Sequence, residues 1–122
     1  TNKTLEIKEI IIDGYKIFIG KNNRQNDYIT FKLSDRNDLW FHVQGFHGSH
    51  VLLKTNNTLI NDDNPIIAKC AKLAALNSKS SNENKVAVDY TLIKNIKKPN
   101  GAKPGFVVFN KYNTIIVDPA ES

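Results

Sequence analysis

The order of apolar and polar positions along the chain predicts several β-strands and one helix. Two apolar runs, residues 5–12 and residues 15–19, lie on either side of Asp13-Gly14. Glycine readily adopts the positive φ angle that tight hairpin turns require, so this dipeptide is a strong turn signal. The first two strands are therefore predicted to form a β-hairpin.

Strict alternation predicts two more strands, at residues 28–33 and 39–43, after a polar loop at residues 20–27. Every second residue in these strands is apolar and is expected to face the core. The inward positions are Ile29, Phe31 and Leu33 in the first strand and Leu39, Phe41 and Val43 in the second. Trp40 and His42 are consequently predicted on the opposite face.

The remaining apolar segments predict further strands and one helix. Strands are expected at residues 51–53, at residues 85–93 with Val86, Val88 and Tyr90 on one face, and as a hairpin of residues 106–109 with 114–117. A helix is expected over residues 66–78, because Asn64 is a good N-cap and Pro65 suits the first helical position. Its apolar stripe is Ile67, Cys70, Ala71 and Ala74.

These elements predict an α+β fold in a single domain, with an antiparallel or mixed sheet covered by one main helix. The 122 residues, 40% of them hydrophobic and 24% charged, are typical of one globular core. No apolar run approaches the roughly 20 residues of a membrane span, and no signal segment opens the chain. Cys70, the single cysteine, cannot form an intramolecular disulfide, so a reducing cytoplasm is the expected location.

The charge is unevenly distributed along the chain. Residues 1–63 carry eight Lys or Arg against eight Asp or Glu, whereas residues 64–117 carry nine Lys against Glu83 and Asp89. The net charge of +5 therefore comes from the second half. This asymmetry indicates a surface that meets phosphates, and a solvated lysine-rich surface is the alternative.

The most basic segment, residues 94–105, is predicted to be a stiff loop that contacts a polyanion. Its two prolines and two glycines are incompatible with a helix or a central strand, and it contains no acidic residue. Its lysines are candidate phosphate ligands: Lys94, Lys97, Lys98 and Lys103.

The polar loop at residues 20–27 is the second candidate for binding. Lys21, Asn22 and Asn26 offer donors to phosphates, sugars or base edges, and Gly20 lets the backbone approach a ligand closely. The same composition also fits an ordinary connection between strands, because Asn tolerates a left-handed φ angle.

Trp40 and His42 lie two residues apart on one strand and are predicted to be neighbours on one face. They would form a stacking surface for a base with a hydrogen-bonding group beside it. The alternative is structural, with Trp40 packed under the helix and His42 paired with Asp38 or a backbone carbonyl. Ser49, which follows two closely spaced glycines, either binds a phosphate or caps a turn.

The sequence favours a binding protein over an enzyme. His42, His47 and His50 lack a second ligand cluster, so no metal site is predicted. Adjacent residues on a strand point to opposite faces, which argues against catalysis by Ser49 with His50. No phosphate-cradling Gly-Lys-Ser/Thr motif or pair of catalytic carboxylates is present, and Cys70 sits among alanines and lysines in the predicted helix.

Asp89 is expected to orient another group rather than to react. In the strand at residues 85–93 it shares a face with Lys85, Ala87 and Thr91. Its carboxylate is therefore predicted to hold a lysine or a loop amide, and a simple surface ion pair is the alternative.

Several separated motifs resemble, in one order, the RNA-binding domain of the NFACT family. The likeness extends from about Gly14 to Pro119. The motifs are Gly20-Lys21-Asn22-Asn23-x-Gln25-Asn26-Asp27-Tyr28-x-Thr30, Asp38-x-Trp40-x-His42, Gly48-Ser49-His50-Val51, Val86-x-Val88-Asp89-Tyr90-Thr91 and Lys98-Pro99-Asn100-Gly101-Ala102-Lys103-Pro104-Gly105.

The resemblance implies a module that binds nucleic acid without chemistry or a cofactor of its own. In that family the domain usually follows other domains in ribosome quality-control factors, which engage stalled large subunits and tRNA. It therefore implies tRNA, large-subunit ribosomal RNA or the ribosome as partner, and no membrane. Beside the lysines, the motif residues implied for the site are Asn26, Asp38, Trp40, His42, Ser49, His50 and Asp89.

The resemblance also leaves alternatives open. The bacterial members are often called fibronectin- or fibrinogen-binding proteins, which implies an adhesion module as an alternative, and a freestanding DNA-binding domain is another. Residues 1–122 are expected to form one such domain, either freestanding or excised from a longer protein. One departure is His47, where family members commonly have proline before the glycine, and it affects the turn that presents Ser49 and His50.

Overall fold

A single antiparallel sheet dominates the computed structural model, which describes residues 6–120; the predicted start of the first strand at Leu5 lies outside the described residues. The six strands are ordered β1-β2-β4-β3-β5-β6, and every pairing is antiparallel. The elements are β1 (Lys8–Ile12), β2 (Tyr15–Ile19), α1 (Asn23–Tyr28), β3 (Leu39–Val43), β4 (Val51–Leu53), α2 (Pro65–Leu76), β5 (Val86–Leu92) and β6 (Asn113–Val117). The α+β prediction is confirmed. Between residues 6 and 120, no helix has the length and apolar character needed to cross a membrane.

The hairpin and the main helix form where local signals predicted them. Asp13 and Gly14 both have positive φ angles, 52° and 84°, which is the geometry of the turn that best matches strand twist. At the start of α2, the Asn64 side chain accepts a hydrogen bond from the backbone N–H of Ile66 at 3.0 Å, and Pro65 is the first helical residue. Both elements are therefore determined by a few neighbouring residues.

The main core lies between α2 and one face of the sheet. Leu39, Phe41 and Val43 of β3 are buried there, as their alternation predicted. The residues that α2 buries include the predicted stripe and two more: Ile66, Ile67, Cys70, Ala71, Ala74 and Ala75. Burial raises the pKa of the Cys70 thiol to about 12, so this side chain behaves as a small apolar group.

The strand predicted at residues 28–33 is wrong, because this segment is helical. Helix α1 continues directly into a π-helical turn at Ile29–Leu33, and the Asn22 side chain caps α1 by accepting from the N–H of Gln25 at 2.9 Å. Ile29 and Thr30 are adjacent and both 0% exposed, which a strand with one solvated face does not allow. A six-residue apolar pattern fits both periods, and here the capping residue favours the helix.

The predicted hairpin of residues 106–109 with 114–117 is also wrong in its first half. Strand β6 pairs with β5, with Val117 opposite Val86 and Asn113 opposite Tyr90. Before it, only Val108 makes a bridge, through two backbone hydrogen bonds of 2.9 Å to Lys97. The segment between β5 and β6 is thus a long return loop, pinned at this bridge.

The sheet face opposite α2 is covered by α1, the π-helical turn and the return loop. Trp40 of β3 lies on this face, as predicted, and its ring centroid is 5.1 Å from that of Phe109 in the return loop. Thr30 of the π-helical turn contacts His50 beside β4. This second layer leaves clefts between its parts, and they contain most of the candidate site.

Candidate nucleic-acid interface

A cavity of about 620 Å³ opens on the sheet face opposite α2, between β3, the following loop, α1 and the return loop. We call it the central cavity. It brings together several of the predicted site residues, namely Asn26, Trp40, His42, His50, Asp89 and Lys103. These residues come from five separate segments of the chain, so only the fold makes them neighbours.

Trp40 forms the base of the central cavity and is itself inaccessible, with 0% of its surface exposed. The His42 ring stacks on it at 5.8 Å between centroids, and the His50 ring meets it edge-on at 5.0 Å. Trp40 therefore offers no open face for stacking a base, and it does not pack under α2 either. Both interpretations drawn from the sequence missed its cover, which comes from His50 and the distant Phe109.

The indole Nε1–H of Trp40 is buried and has no hydrogen-bond partner among residues 6–120. Buried donors in proteins are almost always paired, because an unpaired one loses its bonds to water without replacement. An unpaired donor next to a cavity is therefore a feature that a bound molecule could satisfy.

His50 is held as a neutral ring in a defined tautomer. Burial, reinforced by repulsion from His42, lowers the pKa of His50 to about 3. The Thr30 hydroxyl donates its one hydrogen to the Asn26 carbonyl at 2.8 Å, and its oxygen lies 2.8 Å from Nδ1 of His50. Nδ1 must therefore carry the hydrogen and donate to Thr30, which leaves Nε2 of His50 as an acceptor.

Asn26 locks this arrangement and is not a free recognition group. Its Oδ1 accepts from the backbone N–H of His50 at 2.9 Å, and its Nδ2 donates to the Gly48 carbonyl at 3.3 Å. A Cβ atom on Gly20 would lie 2.1 Å from this Oδ1, so only glycine fits there. Asn26 is 4% exposed, and we assign it the positioning of His50.

His42 and Asp89 face each other across β3 and β5. Oδ1 of Asp89 accepts from Nε2 of Gln44 at 3.0 Å and from the Thr114 hydroxyl at 2.8 Å, so its partners are an amide and a hydroxyl rather than a lysine. Burial lowers the pKa of His42, and the charge of Asp89 offsets only part of this effect. His42 thus stacks on Trp40 beside Asp89, and the predicted pairing with Asp38 does not occur.

Asp38 lies away from the central cavity and has a structural role. It is 0% exposed, and its carboxylate accepts hydrogen bonds from the Lys54 ammonium and from the backbone N–H groups of Asp35 and Thr55. Burial by itself lowers the pKa of Lys54, but the bonds to Asp38 and Asp35 outweigh it and raise that pKa. The prediction that Asp38 contacts nucleic acid is corrected, because no ligand can reach this carboxylate.

A second, more polar cleft of about 380 Å³ adjoins the central cavity and shares Asn23, Asn26, His47 and Gly48 with it. Lys21, Asn22 and Ser49 line this cleft, together with Lys79 from the loop after α2. Nearly all the motif residues therefore surround two connected clefts. Ser49 is 9% exposed, and its backbone N–H donates to the Asn77 carbonyl at 2.9 Å.

The lysines of the basic loop do not form one cluster. Lys103 lies at the rim of the central cavity, and Lys97 is exposed. Lys98 forms an ion pair with Asp27 of α1, 2.6 Å between Nζ and Oδ1, and lies 5.8 Å from the Phe31 ring centroid. Lys94 lines a different cleft with Asn37 and Thr55.

Asp27 anchors the basic loop at both ends. Its Oδ1 accepts from Lys98 Nζ and from the backbone N–H of Gly105 at 3.1 Å. Burial alone raises the pKa of Asp27, but these two hydrogen bonds outweigh it and leave the pKa below its usual value. The loop is thereby tied to α1, with Lys103 at the cavity rim.

Three aromatic side chains of the central cavity were not predicted as site residues. Phe46 and Phe106 are 47% and 56% exposed, and Phe109 contacts Trp40. Both exposed rings follow a glycine with a positive φ angle, Gly45 and Gly105. An aromatic residue directly after such a glycine, outside any apolar periodicity, is the signal that could have identified them.

The three histidines do not assemble a metal site. His42 and His50 lie 5.3 Å apart between ring centroids. His47 is exposed. Within residues 6–120, no group of three or more His, Cys, Asp or Glu is placed to hold a metal ion.

The fold and the two clefts define a small α+β binding domain whose recognition surface lies on the sheet face opposite its main helix. The chain belongs to the family described as the NFACT protein RNA binding domain, whose sequence model matches residues 9–111. The resemblance inferred from the motifs is confirmed.

The chain is similar to proteins from bacteria and from animals. It is 42% identical over 118 residues to the Rqc2 homolog RqcH of Bacillus subtilis (strain 168), covering 97% of this chain and 20% of that protein. It is 29% identical over 111 residues to coiled-coil domain-containing protein 25 of Bos taurus, covering 88% of this chain and 53% of the relative. The chain thus spans about a fifth of RqcH.

A solved structure has the same fold. It is the C-terminal part of the fibronectin/fibrinogen-binding protein from Streptococcus suis (FBPS). The TM-score is 0.85 with 39% sequence identity, and the match covers 99% of this chain and 47% of that one.

Proposed function

We propose that this chain is a non-enzymatic RNA-binding module of ribosome quality control, which contacts tRNA or large-subunit ribosomal RNA. The observation that carries the proposal is the pair of connected clefts. They unite the family motif residues with exposed lysines at their rims, in a domain whose family is described as RNA binding.

Charge and shape both support a polyanion as ligand. Lys21 and Lys103 line the clefts and Lys97 is exposed nearby in sequence, and none of the three forms an ion pair within residues 6–120. Lysines without acidic partners release counterions from a nucleic acid when they contact its phosphates, and this release favours binding. The net charge of +5 acts in the same direction at longer range.

The chemistry of the central cavity supports binding rather than catalysis. His50 is buried, neutral and tied to Thr30, and Asp89 is engaged by Gln44 and Thr114. A general base needs a pKa near the working pH and access to a substrate proton. The low pKa of His50 does not meet the first requirement.

A salt titration of the chain against tRNA, large-subunit ribosomal RNA and duplex DNA tests this proposal. Three phosphate contacts give a log–log slope of roughly −2 to −3. The variant Lys21→Ala/Lys97→Ala/Lys103→Ala is expected to bind RNA at least about 10-fold more weakly, with a shallower slope. The matched control, Lys8→Ala/Lys72→Ala/Lys85→Ala, removes the same charge elsewhere and should retain more affinity.

The outcomes separate the remaining alternatives. Equal losses in both triple variants would mean that net charge alone attracts RNA, and the clefts would not be the interface. Tighter binding to duplex DNA than to either RNA would favour the DNA-binding alternative. Fibronectin binding after nuclease treatment, with no RNA binding, would favour the adhesion alternative suggested by the name of the Streptococcus suis protein.

A further inference from the structure

We propose that the central cavity accepts one unstacked nucleotide of the bound RNA, with its base inside the cavity and its phosphate near Lys103. This inference rests on the proposed function and deepens it. RNA loops and single strands can turn a base outward, whereas a continuous duplex holds its bases stacked.

The cavity has the size and lining of a site for a small planar molecule. Its volume of about 620 Å³ lies within the range of roughly 300–1,000 Å³ that is usual for ligand sites. Its lining is mainly aromatic and aliphatic, with a few polar groups, which is also usual for such sites. A flat phosphate-binding surface would need neither this depth nor these aromatic walls.

The polar groups of the cavity complement the edge of a base. Trp40 provides a buried N–H without a partner, and Nε2 of His50 is left as an acceptor by the tautomer that Thr30 imposes. Both hydrogen bonds to Asp89 end on Oδ1, and its Oδ2 accepts none from the part of the chain that the structure describes. A base carries donors and acceptors on one rigid edge and suits such a mixed set.

The rim of the cavity fits the rest of a nucleotide. Phe46 and Phe106 line it from two different loops, and both rings are about half exposed although they are large and apolar. Aromatic rings of this kind stack on bases. Lys103, two residues before Gly105 and three before Phe106, places a cation at the same rim. Base, sugar and phosphate thus each have a matching group.

Trp40 also provides the measurement, because it is the only tryptophan of the chain and lies at the cavity. With excitation at 295 nm, titration with AMP is expected to change its fluorescence saturably. Ribose 5-phosphate, which has the same phosphate and sugar but no base, is expected to cause no such change at the same concentration. A similar response to both compounds would overturn the inference, because it would show that the base is not recognised.

Variants connect this signal to RNA. Phe106→Ala removes an exposed ring from the rim and is expected to weaken binding to an RNA hairpin with an open loop by about 10-fold. Binding to a blunt RNA duplex of equal length should change much less. Ile11→Ala, which removes an exposed apolar side chain from the edge strand β1, is the matched control and should change neither.

Asp89→Asn provides an independent check, since it keeps the size of the side chain and its Oδ1 acceptor. It replaces the unpaired Oδ2 acceptor by a donor, so AMP binding is expected to weaken while the lysine-dependent binding of duplex RNA persists.

The inference and the proposed function fail in different ways. If AMP leaves the fluorescence unchanged and Phe106→Ala binds the hairpin normally, the nucleotide site is refuted, while salt- and lysine-dependent RNA binding can still stand. If no RNA binds at all, the proposed function fails whatever AMP does.

Discussion

At the residue scale, the central cavity depends on two side chains whose polar atoms are handled differently. His50 has one ring nitrogen satisfied by Thr30, and its ring is neutral. Trp40 has its one donor unsatisfied. The first feature makes the site rigid, and the second leaves a group for a ligand.

The low pKa of His50 predicts a specific loss of stability in mild acid. Its pKa is about 3 when folded, against about 6.5 for the free side chain. The unfolded chain therefore binds more protons between these values, and the free energy of unfolding falls as pH decreases from about 6.5 towards 3. The expected slope from this group is up to about 1.4 kcal/mol per pH unit.

Urea unfolding at pH 7 and pH 5 measures this effect. His50→Gln removes the titrating group, so it is expected to lose less stability than the original chain between the two values, although it is less stable at pH 7. His47→Gln changes an exposed histidine and should leave the pH dependence as it was. An unchanged slope in His50→Gln would show that His50 does not titrate as proposed.

The burial of Trp40 predicts that its main role is in stability. Trp40→Ala leaves a large void between β3 and the return loop and is expected to lower the free energy of unfolding by about 3–5 kcal/mol. Chemical denaturation, followed by circular dichroism, checks this value. Full stability with a selective loss of RNA binding would instead support the stacking surface predicted from the sequence.

At the scale of elements, sequence prediction succeeded where short-range signals are strong. Asp13-Gly14 and Asn64-Pro65 determine a turn and a helix start through bonds and φ angles within a few residues. Residues 28–33 failed because a short apolar run fits two periods. The choice there depends on the cap at Asn22 and on the buried contact of Thr30 with His50, which lies 20 residues away.

The basic loop was predicted as a loop, but its attachment was not. Asp27 accepts from Lys98 and Gly105, which are 71 and 78 residues away in the sequence, so no local pattern reveals the contact. It also explains why an acid lies in an otherwise basic and amide-rich segment.

Asp27→Ala is therefore expected to loosen the basic loop without unfolding the domain. Both hydrogen bonds are lost, and the free energy of unfolding should fall by about 1 kcal/mol, since the carboxylate is partly exposed. Hydrogen exchange of the Gly105 amide should become faster, and RNA affinity should fall as Lys103 loses its position. Asp35→Ala, which alters an 83% exposed carboxylate in an ion pair with Lys54, is the control and should not affect Gly105.

At the scale of the whole molecule, the distribution of charge along the sequence is an incomplete guide to the surface. The lysine-rich second half does not form one patch, because Lys94 lies at a different cleft and Lys98 is paired with Asp27. Lys21, from the half without net charge, joins the candidate interface instead. Only the packing of the return loop and α1 on the sheet determines which lysines are close to the clefts.

The same packing divides the domain into two faces with different tasks. One face carries α2 and the main core, and the opposite face carries the clefts and their exposed aromatic rings. The central claim is that RNA contacts only the second face.

Ultraviolet crosslinking of the chain to tRNA, followed by mass spectrometric mapping of the crosslinked peptides, tests this claim most directly. Crosslinks are expected on peptides that contain Phe46 and Phe106, and they should disappear when salt releases the RNA. Crosslinks confined to the outer surface of α2, around Lys69 and Lys72, would contradict the account.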